Sequence, residues 1–62
     1  MTRLTEADEF EHSLRNHVAV IIGFTELMLA DTPEDDPRHG DLREIREAAR
    51  AALALLDRQP SS

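Results

Sequence analysis

The chain contains no cysteine, lysine, tryptophan or tyrosine, and only two of its 62 residues are glycine. The lack of cysteine excludes disulfides and zinc sites built from thiolates. A chain of this length buries a small core, and its usual remedies are disulfides, a structural metal or association with another chain. With disulfides excluded, we expect the chain to form an oligomer.

Basic residues are scarce as well. The chain has seven arginines and thirteen acidic residues, which gives a net charge of −6. Nucleic acids and anionic membrane surfaces both require a basic face, so neither is expected as a partner. The longest apolar run covers only residues 18–24, and the polar, acidic start does not resemble a secretory signal. These features predict a soluble cytoplasmic protein.

Apolar residues recur at helical spacing in the first half of the chain. The pattern predicts a first helix over about residues 5–31, with Thr5 as its N-terminal cap. Its heptad stripe consists of Ala7, Phe10, Leu14, His17, Ile21, Phe24 and Met28. Further apolar residues widen this stripe in the C-terminal half of the helix. More than one neighbouring helix is therefore needed to cover it.

A polar connection over residues 32–37 precedes a second helical pattern over about residues 38–58. Asp36 followed by Pro37 is typical of a helix N-cap with proline at the first helical position. The second stripe consists of Leu42, Ile45, Ala49, Ala52 and Leu56. Two long helices joined by a short loop predict an all-α fold. We expect residues 1–62 to form one antiparallel hairpin that homodimerises into a four-helix bundle.

One histidine falls on the polar side of the first helix. His12 follows Asp8 and Glu9 by about one turn and precedes Arg15 and Asn16 by another. Carboxylates that can take a proton and a cation that can bind oxyanions suit a histidine that accepts a phosphoryl group. The alternative is an inert surface histidine among solvated charges.

His17 is expected to have a different role from His12. His17 lies in the apolar stripe, where it is a core or interface residue or, alternatively, a pH-sensitive one. It is about 140° around the helix from His12, so the two cannot bind one metal ion from one chain. We expect neither a metal nor a cofactor.

The segment around His12 resembles the H-box of the dimerisation and phosphotransfer domain of histidine kinases. That motif reads His-Glu-Leu-Arg-Thr/Asn-Pro-Leu, followed by an apolar stretch that ends in Ile-Ile-Gly-Phe. This chain reads His-Ser-Leu-Arg-Asn-His-Val over residues 12–18 and Ile-Ile-Gly-Phe over residues 21–24. The resemblance covers about residues 8–57, including the second helix.

The resemblance implies a homodimeric module of a two-component phosphorelay, and thus part of a transferase. His12 is the implied phosphoryl acceptor, with Arg15 and Asn16 beside it. The family's partner, the receiver domain of a response regulator, is expected to dock on Ala19, Val20, Gly23 and Leu27. No glycine-rich nucleotide lid is found. We therefore expect the ATP-binding kinase domain in a longer parent chain or in trans.

Two residues depart from the family pattern. Ser13 replaces the acidic residue that assists proton transfer, and a serine hydroxyl is not a base at neutral pH. His17 replaces the proline, so the kink expected at that proline is not predicted here. Passive transfer to a receiver aspartate depends less on the missing acid than attack on ATP does. The loss of the acid favours the alternative function, a non-catalytic dimerisation or scaffold module.

Overall fold

The computed structural model of the protein describes residues 6–58, which form two antiparallel α-helices. Helix α1 covers Glu6–Asp31 and helix α2 covers Pro37–Asp57, and no strand occurs between residues 6 and 58. The predicted all-α hairpin is confirmed, and α2 begins and ends one residue earlier than expected. The predicted cap at Thr5 lies outside the described residues.

Helix α1 ends just before Thr32, which donates hydrogen bonds to carbonyl groups in the last turn of the helix. The Thr32 hydroxyl donates to the Met28 carbonyl oxygen at 2.6 Å, and its N–H donates to the Leu29 carbonyl oxygen at 3.3 Å. Pro33 follows, and its ring and missing N–H prevent continuation of the helix. The chain then turns through four residues to reach α2.

Helix α2 begins at the predicted cap. Asp36 has an extended backbone (φ −77°, ψ 130°), and its Oδ1 accepts the Arg38 N–H at 2.8 Å. Pro37 occupies the first helical turn, where its missing N–H costs no hydrogen bond. The Arg38 guanidinium also binds the same carboxylate, with Nη2 3.0 Å from Oδ2. These hydrogen bonds hold the pKa of Asp36 below its ordinary value.

Four residues form the line along which the two helices pack, and we call this line the hairpin seam. They are spaced seven residues apart on each helix: Val18, Thr25, Leu42 and Ala49. The Thr25 hydroxyl donates to the Ile21 carbonyl oxygen of its own helix at 2.6 Å. Its polar group is thereby satisfied without a partner on α2.

The heptad stripe predicted on α1 is not the hairpin seam. Its two phenylalanines, Phe10 and Phe24, are 65% and 64% exposed. A single neighbour covers one line of a helix, and α1 carries apolar residues along more than one. Packing through Val18 brings Arg15 and Glu26 within reach of an acidic and a basic partner on α2.

The hairpin therefore has two different sides. With about 100° per residue, Arg15 and Glu26 lie on one side of the seam and the predicted stripe lies on the other. On the first side Arg15 pairs with Asp57, and the Glu26 carboxylate lies 2.8 Å from the Arg50 guanidinium. The second side is the exposed apolar face, which consists of Phe10, Leu14, Ile21, Phe24, Met28, Ile45 and Leu55.

The hairpin is too thin to enclose a side chain. Its Cα cross-section measures 16 × 12 Å, and no described side chain is less than 2% exposed. Only three apolar residues of the described chain count as buried: Val18, Leu42 and Ala49.

The cap at Asp36 makes stability depend on pH in a defined direction. Because folding lowers the pKa of Asp36 from 3.8, its charged form stabilises the fold above that value. This stabilisation is lost as the pH falls through the lowered pKa. Asp36→Asn keeps an acceptor for the Arg38 N–H but removes the charge.

We expect Asp36→Asn to melt at a lower temperature than the unchanged chain near neutral pH, as followed by far-ultraviolet circular dichroism. The two midpoints should converge below the lowered pKa. Asp36→Ala, which lacks the acceptor, should melt lowest across the range. Equal midpoints for all three chains at neutral pH would contradict a role for this cap.

Candidate functional site

His12 is exposed on α1, two turns from the first described residue. With about 100° per residue, it lies about 120° around the helix from Val18, on the side of the ion pairs. It lines an open depression of about 450 Å³ together with Asp8, Glu9 and Ser13. The structure thus brings together the histidine and the two carboxylates that the sequence placed one turn before it.

Arg15 lies one turn beyond His12, but its guanidinium is turned towards the other helix. Its Nη1 donates to the Asp57 carboxylate in the last turn of α2. The prediction grouped Arg15 with the exposed neighbours of His12. The structure shows instead that Arg15 bridges the His12 side of α1 and the C-terminal end of α2.

Asp57 is the residue that sequence reasoning missed at this end of the hairpin. A carboxylate in the last helical turn faces the negative end of the helix dipole, which is unfavourable without a nearby cation. No basic residue occurs in the last turn of α2. Arg58 follows directly as the C-cap residue, so the sequence offers Asp57 a nearby cation and did not single out a partner on α1.

The remaining predicted site residues lie on the outward surface of α1. Asn16 is exposed and about 40° around the helix from His12. All four predicted docking residues are exposed as well: Ala19, Val20, Gly23 and Leu27. Ala19 and Gly23 lie within about 20° of His12 around the helix, so they continue its line for about two to three turns.

Gly23 has open space where a side chain would be. A Cβ built there meets no atom within 4 Å, and the same is true of Gly40 on α2. Packing inside the hairpin therefore does not require glycine at either position. Gly23 is therefore either a tolerated cost to the helix or a point of contact for a molecule outside the hairpin.

His17 and His39 lie away from the depression. His17 is exposed within the apolar face, and His39 is half-buried in the first turn of α2. Within residues 6–58, no three metal-binding side chains of the His, Cys, Asp or Glu type come close enough to hold an ion. Neither described helix is long and apolar enough to span a membrane.

No family model, curated protein or solved structure matches the chain. The resemblance to the phosphotransfer domain of histidine kinases therefore rests on the motif residues themselves. The geometry around His12 is the further basis for a functional proposal.

Gly23→Ala tests whether glycine at this position lowers the stability of the hairpin. Alanine is favoured over glycine inside a helix by about 1 kcal/mol, and the open space at Gly23 imposes no clash. We expect Gly23→Ala to raise the free energy of unfolding by about that amount in urea titrations. Gly40→Ala, in the first turn of α2, is the matched control and should gain less. A loss of stability in Gly23→Ala would mean that this backbone packs against something in the folded protein.

Proposed function

We propose that the chain is a dimerisation and phosphotransfer module of the two-component type, in which His12 accepts and passes on a phosphoryl group. The observation that carries the proposal is the exposed imidazole of His12 in a depression with Asp8 and Glu9, one turn from a cation. The H-box resemblance supports the same residue.

The chemistry at His12 is a phosphoryl transfer to nitrogen. A ring nitrogen attacks the phosphorus of an aspartyl phosphate, an N–P bond forms, and the P–O bond to the aspartate breaks. The electron pair of that bond leaves with the aspartate carboxylate. The proton on the other ring nitrogen passes to water or to a carboxylate of the depression. Arg15 supplies N–H donors for the phosphoryl oxygens.

The partners follow from the same proposal. The phosphoryl group comes from, or goes to, the receiver domain of a response regulator. An ATP-binding kinase domain, in a longer parent chain or in trans, is the other donor. Ala19, Gly23 and Leu27 form the docking line for the receiver, next to Val20. The small residues at 19 and 23 permit close approach of a partner helix.

The third partner is a second copy of the chain, packed on the exposed apolar face. This face is about 39 Å long, from 26 residues at about 1.5 Å each, and up to 16 Å wide. Its flat projection is thus about 600 Å², and side-chain relief adds to it. A standard stable interface buries about 800 Å² per partner. Two hairpins packed this way form a four-helix bundle and leave His12 outside it.

The acceptor is tested by removing each histidine in turn. His12 is exposed, so His12→Gln should change the free energy of unfolding by less than about 0.5 kcal/mol. It should nevertheless abolish labelling by a ³²P-phosphorylated receiver domain that binds the chain. His17→Gln and His39→Gln should still take label. Label that persists in His12→Gln, or never appears on the unchanged chain, would overturn phosphotransfer in favour of the scaffold function.

The dimer is tested with two neighbouring aspartates. Ile21 on the apolar face is 46% exposed and Val20 next to the docking line is 55% exposed in a single hairpin. Ile21→Asp buries an unpaired charge in the proposed interface and should weaken association by about 2 kcal/mol or more. Val20→Asp should leave association unchanged. Sedimentation at micromolar concentration measures both, and a stable folded monomer of the unchanged chain would rule out the bundle.

A further inference from the structure

A bridge between the helices connects the His12 side of α1 to α2. Arg15 is three residues beyond His12, which is about 4.5 Å along the helix and about 60° around it. The Arg15 guanidinium donates through Nη1 to the Asp57 carboxylate. A guanidinium has five N–H donors, so this ion pair leaves donors for a second oxyanion.

The ion pair is not explained by stability. The Arg15 and Asp57 side chains are 37% and 59% exposed. Ion pairs that are this exposed to solvent contribute little to the free energy of folding. Asp57 also stands at the end of α2 where the helix dipole disfavours a carboxylate. An aspartate at this position therefore offers α2 itself no advantage.

We infer that Asp57 is a positioning residue for phosphoryl transfer. It holds the Arg15 guanidinium at the His12 end of α1, so that the free donors are ready to bind the oxygens of a phosphoryl group on or near the His12 ring. A long arginine side chain otherwise samples many rotamers, and fixing one in advance reduces the entropy lost in the transition state. This inference rests on the proposed acceptor role of His12.

A change at Asp57 should slow the phosphorylation of His12 by less than the loss of Arg15 itself would. Removing an arginine that stabilises a transferring phosphoryl group costs about 10³-fold or more in rate. Asp57→Asn keeps an acceptor but removes the charge that holds the Arg15 guanidinium, so we expect a loss of about tenfold, from weakened positioning alone. Asp57→Glu keeps the carboxylate and should recover most of the rate.

The experiment uses phosphoramidate as the phosphoryl donor, with phosphate on the His12 ring followed by ¹H–³¹P correlation spectra. The step forms the N–P bond to His12 as the P–N bond of phosphoramidate breaks and ammonia leaves. A second readout is the Arg15 Nε–H signal, which should be sharp in the unchanged chain and exchange-broadened in Asp57→Asn. That signal reports the position of the guanidinium independently of any phosphoryl chemistry.

The matched control is the second ion pair between the helices. Arg50→Gln breaks the contact of 2.8 Å between Arg50 and Glu26 without touching Arg15 or Asp57. It should leave phosphorylation of His12 at the unchanged rate. The double variant Arg15→Asp with Asp57→Arg restores a pair between the helices but puts a carboxylate beside His12. Its stability should be close to that of the unchanged chain, and phosphorylation of His12 should remain slow.

The outcomes separate the two proposals. No phosphate on His12 in the unchanged chain would overturn the proposed function and this inference with it. Phosphorylation of the unchanged chain with an equal rate in Asp57→Asn would overturn the positioning role alone. Equal losses in Asp57→Asn and Arg50→Gln would show that any bridge between the helices suffices, and would overturn it as well.

Discussion

The structure depends on one constraint, which is that two helices side by side cannot surround a side chain. Each helix of the hairpin has a single neighbour, so only the line that faces this neighbour is removed from water. Val18, Leu42 and Ala49 are the most buried apolar residues of the described chain, and each keeps 7–8% of its surface exposed. The hydrophobic effect is proportional to the apolar area removed from water, and a single seam removes little of it. The apolar residues that remain outside are the reason to expect a second copy of the chain.

The same constraint divides the surface of α1 into three lines. One line packs on α2, one carries the exposed apolar residues, and one carries His12 with the small residues that follow it. The seam is about a quarter of a turn from the apolar line and about a third of a turn from the His12 line, so these two lines are nearly half a turn apart. A helix in a four-helix bundle contacts two neighbours and leaves its remaining side to solvent. The proposed site therefore lies on the side of α1 that neither packing surface needs.

The existence of the hairpin was predictable from the sequence, whereas the choice of seam was not. Local signals identify the helices and the cap at Asp36, because the relevant hydrogen bonds join residues two to four apart. The pairing of α1 with α2 depends on residues that are far apart in the chain. Leu14 and Val18 are both apolar and one turn apart, and nothing local decides which one faces α2. In the packing observed, Val18 lies on the seam and the ion pairs Arg15–Asp57 and Glu26–Arg50 form beside it. For the same reason His12 was found from its neighbours in sequence, and Asp57 was not.

Helix α1 runs without a break from Glu6 to Asp31, past His17, where the resembling family has a proline. An unbroken helix transmits rotation about its own axis along its whole length. The angle around the helix axis between the His12 line and the apolar residues of α1 is therefore fixed. A torque applied at either end of α1 turns both surfaces by the same amount, so the orientation of His12 and the register of the apolar contacts change together.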